Sequence, residues 1–235
     1  MSSSEQLISI LKKHQAAFHP VVRYNPAKEK ICLLDFTENN KELEEDILAH
    51  TNKFIQYING KLQQAGAKYG IGGYGEHRTV YSRSKVFDAK EPGEEPRRLH
   101  LGIDIWGKPH TAVLAPLNGI VHSFAFNDNF GDYGATIILS HRLDEISFYT
   151  LYGHLSLNSL KNLNGGERIE KGDVFAEFGI PMENGHWPPH LHFQIIIDLE
   201  GWERDYPGVC KYSEREKYLA NCPIPDLILQ MNRYL

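Results

Sequence analysis

The sequence predicts a mainly β domain, an antiparallel sandwich or barrel-like sheet, behind an α-rich N-terminal extension. Three observations predict it. From residue 98 onward, apolar and polar residues alternate with period two, as strands with one buried face require. Those runs are short and bounded by Gly, Pro, Asn and Asp. Upstream, apolar residues recur at helical spacing instead.

Taken in order, residues 5–18 suit a short amphipathic helix, with Leu7, Ile8, Leu11 and Phe18 at roughly helical intervals. "KICLLDF" reads as a strand, and "TENN" supplies capping residues. From Lys41 a longer helix is expected, with Leu43, Ile47, Phe54, Ile58 and Leu62 on one stripe and Gly66 as its stop. "YGIGGYGEHR" is expected to turn; it lacks the spacing of a phosphate-cradling loop. After residue 98, "TAVLAPLNGIVHSFAF", "GATIILSH", "ISFYTLYGHL", "RIEKGDVFAEFG" and "HLHFQIIID" read as strands. The tail "IPDLILQMNRYL" is apolar enough to pack back. The expected organisation is a mostly helical region over 1–90, a chemistry-bearing β domain over 91–210, and a packing tail over 211–235.

A net charge of -5 gives no electrostatic case for a nucleic-acid partner. No apolar run reaches the ~18 residues of a membrane span. In "MSSSEQLISILKKHQAAF" the lysines follow the apolar residues rather than precede them, so no secretory signal is legible; a cytoplasmic location is expected, with export by another route as the alternative. Cys32, Cys210 and Cys222 have no metal spacing and suit a reducing compartment.

The chemistry lies in the histidines, of which there are 12. In "HLHF", His190 and His192 share one strand face while Leu191 and Phe193 take the other. Two imidazoles roughly 6–7 Å apart along a strand can converge on one ion, and they also suit an exposed strand face. In "RRLHLGIDIW", His100 and Asp104 share a face but stand roughly 13 Å apart in a straight strand. Gly102 between them is where a bend would bring both to one metal ion; without it, the pair is the polar face of a strand end. His154 ends "YTLYGH" at a turn and alone reads as a loop residue.

Together, His-x-x-x-Asp, a lone His in "YGHL" and His-x-His, in that order, resemble the lysostaphin-like (LytM-type) zinc metallopeptidases. These are peptidoglycan endopeptidases of the duplicated-hybrid-motif fold. The resemblance covers roughly residues 98–198 and extends to "APLNGIV", "GDYGATIILSH" and "IEKGDVFAEFG". It implies one zinc per chain on His100, Asp104 and His192, with His154 and His190 as catalytic histidines that do not ligate it. It implies a peptide or peptidoglycan substrate. The donor types agree: two imidazoles and a carboxylate leave the open position of a catalytic zinc. His154 and His190 could then take the water proton or stabilise the oxyanion, in either assignment.

The approach to His-x-His departs from the small-residue pattern of such enzymes: "GHWPPHLHF" sets Trp187 and two prolines in one cleft wall. Trp187 and Tyr133, the latter on the turn in "GDYGAT", are substrate-contact candidates. His110, His122, His141 and His186 read as structural or surface residues. The alternative function is a non-catalytic family member that binds or regulates through peptide or peptidoglycan fragments. A carrier-type domain, suggested by "GERIEKGDVFAEFG", has no use for a metal triad.

Overall fold

Ser2 opens the first helix. Its hydroxyl accepts the Glu5 N–H and the Glu5 carboxylate accepts the Ser2 N–H, a capping box that satisfies donors a helix end leaves free. The computed structural model describes residues 2–235. Helix α1 (Ser3–His14) buries Leu7 and Leu11. Strand β1 (Ile31–Leu34), helices α2 (Glu45–Ala49) and α3 (Thr51–Ala65) and strand β2 (Tyr69–Gly72) follow. β1 and β2 pair in parallel, with the two helices as their crossover.

Two sequence expectations change here. The helix expected from Lys41 begins at Glu45 and breaks at His50, where the Thr51 hydroxyl donates to the His186 carbonyl. It does close at Gly66. "YGIGGYGEHR" is a strand before it is a turn: Tyr69–Gly72 is buried along its length. Its glycines hide the period, and packing requires them. A Cβ at Gly70 would lie 2.4 Å from the Leu34 side chain.

The remaining strands are β3 (Leu99–His100), β4 (Ile103–Trp106), β5 (Ala112–Leu114), β6 (Gly119–Asn127), β7 (Gly134–Leu143), β8 (Ile146–Leu155), β9 (Arg168–Ile169), β10 (Val174–Glu177), β11 (His190–Ile196) and β12 (Val209–Cys210). Helices α4 (Arg215–Asn221) and α5 (Asp226–Leu229) end the chain. The main sheet has eight strands in the order β1-β2-β4-β11-β8-β7-β6-β9. Its pairings are antiparallel except β1 with β2, so the mainly β fold carries a mixed sheet. Two ribbons, β5–β10 and β3–β12, flank it. Strands from either side of residue 90 therefore share one sheet.

Alternation decides what each face does. Ile103 and Ile105 of β4 and Leu191, Phe193 and Ile195 of β11 enter one core with Leu7 and Leu11 of α1 and Leu227 to Leu229 of α5. Each such buried side chain contributes ~1.5–3 kcal/mol, and a one-residue slip would forfeit all of them together. That register sends Asp104, Trp106, His190 and His192 to the opposite face. There Phe54 and Ile58 of α3 pack over Phe36, Trp106 and Trp187.

Candidate metal centre

His100 ends β3, which pairs with β12; the chain bends at Gly102 and re-enters the main sheet as β4. Packing requires glycine at this bend. A Cβ on Gly102 would lie 2.5 Å from His192 Cε1 and 2.8 Å from the Phe193 carbonyl oxygen. In β11, His192 sits in register with Asp104 of β4 and Gly153 of β8.

Three donor atoms converge as a result. His100 Nε2 lies 3.0 Å from His192 Nδ1 and 3.2 Å from Asp104 Oδ1, and His192 Nδ1 lies 3.1 Å from Asp104 Oδ1. All three residues are buried. Their outer atoms are committed. His100 Nδ1 donates to the Gly73 carbonyl at 2.8 Å. His192 Nε2 donates to Gln194 Oε1 at 2.9 Å, and the amide is oriented because Gln194 Nε2 donates to the Pro207 carbonyl. The inner ring nitrogens therefore carry lone pairs, which face each other and a carboxylate oxygen.

Three acceptors in mutual contact need a cation between them. A tetrahedral zinc with ligands at ~2.0–2.1 Å sets its donors ~3.3 Å apart, close to the spacing here. The donor set and its outer hydrogen bonds fit a zinc ion. Burial alone would raise the Asp104 carboxyl, but the His100 ring and the Arg78 guanidinium outweigh it and hold it well below the usual carboxylate range. Arg78 Nη1 bonds Asp104 Oδ2 at 2.5 Å.

The other two histidines flank this triangle. His154 has a left-handed backbone, φ 62°, rare for a residue with a side chain. It is held by its N–H donating to the Tyr133 carbonyl and its own carbonyl accepting the Gly179 N–H. His154 Nδ1 donates to the Asn184 carbonyl and His190 Nδ1 to the Pro188 carbonyl, each at 2.8 Å. A carbonyl only accepts, so Nε2 is the free basic nitrogen of both rings. The two rings lie 4.1 Å apart, and His190 stacks on Trp106 at 3.9 Å. Burial keeps both neutral: it pushes His190 down to about 4 and, with the neighbouring His190 and His192, His154 well below its ordinary value.

Asp104, His154, His190 and His192 line a cleft of about 500 Å³. Its other walls include Tyr81 and Phe87 from before residue 98, and Asp205 and Tyr206 from beyond β11. Tyr133 lines it as well; its hydroxyl donates to the Tyr206 carbonyl and lies 3.5 Å from His192 Nε2. Trp187 borders the cleft but is only 3% exposed, packed on Phe54 with the Arg83 guanidinium 4.6 Å from its ring. His110 and His122 lie on the surface, His186 stacks on Phe130, and His141 is buried between Asn118 and Thr150.

Sequence reasoning did not find Gln194 or Arg78. Gln194 follows His190 and His192 on the same face of one strand, so period two pointed to it. Arg78 comes from a distant turn and carried no signal.

Residues 98–204 match the sequence profile of Peptidase family M23. Over these residues the chain is similar to the M23 peptidases. The matched region holds His100, Asp104, His154, His190 and His192. The chain is 30% identical over 161 residues to an L-Ala–D-Glu endopeptidase of Bacillus subtilis, covering 58% of this chain and 47% of that protein. It is 31% identical over 102 residues to an uncharacterized metalloprotease of Haemophilus influenzae, covering 43% of this chain and 19% of that protein. The chain thus spans less than half the length of these curated relatives. Among solved structures, the catalytic domain of lysostaphin from Staphylococcus simulans aligns with 69% of this chain and 97% of its own, at 20% identity and a TM-score of 0.40.

Proposed function

We propose that the protein is a zinc-dependent endopeptidase that cleaves short peptide bonds in peptidoglycan stems or cross-links. The observation that carries this reading is the triangle of His100 Nε2, Asp104 Oδ1 and His192 Nδ1, with edges of 3.0–3.2 Å and its lone pairs turned inward at a cleft. A zinc ion held there would polarise the scissile carbonyl and lower the pKa of water toward neutrality.

The chain's own groups do the rest. His154 and His190 present free Nε2 atoms to the cleft, one to accept the proton of the attacking water, the other to stabilise charge developing on the carbonyl oxygen. The carbonyls of Asn184 and Pro188 fix both tautomers, and Trp106 holds the His190 ring by stacking. Buried walls such as Tyr81 and Phe87 keep the reacting centre poorly hydrated, which strengthens each of these interactions. The name of the B. subtilis relative specifies a bond to D-glutamate. A D-residue beside the cut supports a peptidoglycan substrate here.

The test is a digest of purified peptidoglycan by the zinc-loaded protein, read as newly freed amino termini by mass spectrometry. Release that stops on chelation and returns with zinc supports the proposal. No release by the zinc-loaded protein contradicts it.

A further inference from the structure

We propose that Arg78 is a positioning residue for Asp104, and that the turn Gly73–Arg78, which precedes the M23 region, is part of the metal site. The proposal rests on reading His100, Asp104 and His192 as zinc ligands.

Arg78 is 1% exposed, and a buried guanidinium is costly unless its donors are paired. They are. Nη1 bonds Asp104 Oδ2 at 2.5 Å, Nε bonds Glu76 Oε2 at 2.8 Å, and Nη2 donates to the Gly73 carbonyl at 3.2 Å. The guanidinium also lies 5.1 Å over the Phe36 ring, and Nη1 reaches the Tyr81 hydroxyl at 3.3 Å. Room for it is reserved: a Cβ on Gly72 would lie 2.7 Å from Arg78 Nη2.

This pairing divides the labour of the Asp104 carboxylate. Oδ1 joins the donor triangle and Oδ2 is held by Arg78, so the group can offer the metal only one oxygen. A carboxylate with Oδ2 free could turn both oxygens inward and take up the open position that hydrolysis needs. Glu76 alone could balance the charge on Arg78, yet the guanidinium's shortest bond goes to Asp104.

The same turn orients a second donor. The Gly73 carbonyl accepts both His100 Nδ1–H and Arg78 Nη2–H. Its backbone is laced to β3 and the residue before it: Gly75 N–H to the His100 carbonyl, His100 N–H to the Glu76 carbonyl, and Arg78 N–H to the Arg98 carbonyl. Two of the three metal donors are thus aimed by residues that precede position 98.

The test compares the full-length protein with Arg78→Met and Arg78→Lys. Zinc affinity is read by competition with a chromophoric chelator, and metal geometry by the visible absorption of the cobalt(II)-substituted protein. Thermal melting of the metal-free forms reports separately on a purely structural role. Arg78→Met is expected to bind zinc about 10–100-fold more weakly, as loss of an outer partner of a ligand does, with an altered cobalt spectrum. Arg78→Lys, which keeps the charge but loses the fork, should fall between the two. If Arg78→Met does not fold, weaker binding by folded Arg78→Lys supports the proposal. Wild-type affinity and an unchanged cobalt spectrum in either folded variant overturn it. A wild-type protein that takes no zinc overturns this proposal and the functional reading together. A wild type that binds zinc, with variants that bind it equally, overturns this one alone.

Discussion

Replacing Gly102 with alanine adds one methyl group where the structure has no space for it. The new Cβ would sit 2.5 Å from His192 Cε1, 2.6 Å from His192 Nε2 and 2.8 Å from the carbonyl oxygen of Phe193. Ordinary contact begins at 3.4 Å, so the imidazole has to recede by about 0.9 Å or the bend has to open. The ring cannot move freely. It is pinned through Gln194 on one side and lies against Asp104 and His100 on the other. Overpacking of this kind costs ~1–3 kcal/mol of stability, and a ~1 Å displacement of a reacting group costs on the order of 10²-fold in rate. Urea unfolding, zinc affinity and peptidoglycan hydrolysis of Gly102→Ala should all fall together. A folded Gly102→Ala with wild-type zinc affinity would refute the reasoning, since the ring would then not occupy the space assigned to it.

Three further outcomes are expected. His154→Ala should lose ~10²–10⁴-fold in hydrolysis yet keep its zinc, because His154 lies outside the donor triangle; loss of the metal would contradict the assigned role. Gln194→Leu removes the acceptor that fixes the His192 tautomer and should weaken zinc binding about 10–100-fold, read by chelator competition; unchanged binding would show that another group orients the ring. His141, buried against Thr150 and Asn118 and not part of the cleft lining, is pushed by burial down to about 4 from an ordinary 6.5. Its folded pKa is depressed, so the stability it gives as a neutral ring is complete above 6.5 and is lost as pH falls toward 4. Between pH 7 and pH 5, His141→Gln should lose about 2 kcal/mol less unfolding free energy than the wild type; parallel pH profiles in urea melts would rule this out.

Much of the site was legible because strand geometry is local. Period two put His190 and His192 on one face of β11, and the rule that glycine marks a bend located the break at Gly102. Both follow from a few neighbouring residues. What the sequence did not disclose depends on long-range contacts. β2 was hidden because Gly70 and Gly72, chosen for close packing against Leu34 and Arg78, erase the alternation that marks a strand. At the helix break, Thr51 bonds the His186 carbonyl, a partner distant in sequence. Trp187 read as a cleft-wall residue; its burial on Phe54 and Arg83 depends on α3 folding over that loop. Arg78 had no local pattern at all; the pairing of β2 with β4 and the backbone bonds of its turn to residues 98–100 bring it to Asp104.

The most direct measurement of the central claim is the metal content of the purified protein and of His192→Ala, by mass spectrometry after dialysis against zinc. One tightly held zinc per chain in the wild type and none in the folded variant is the expected result. Equal zinc in both, or none in either, would contradict the assignment of His100, Asp104 and His192 as its ligands.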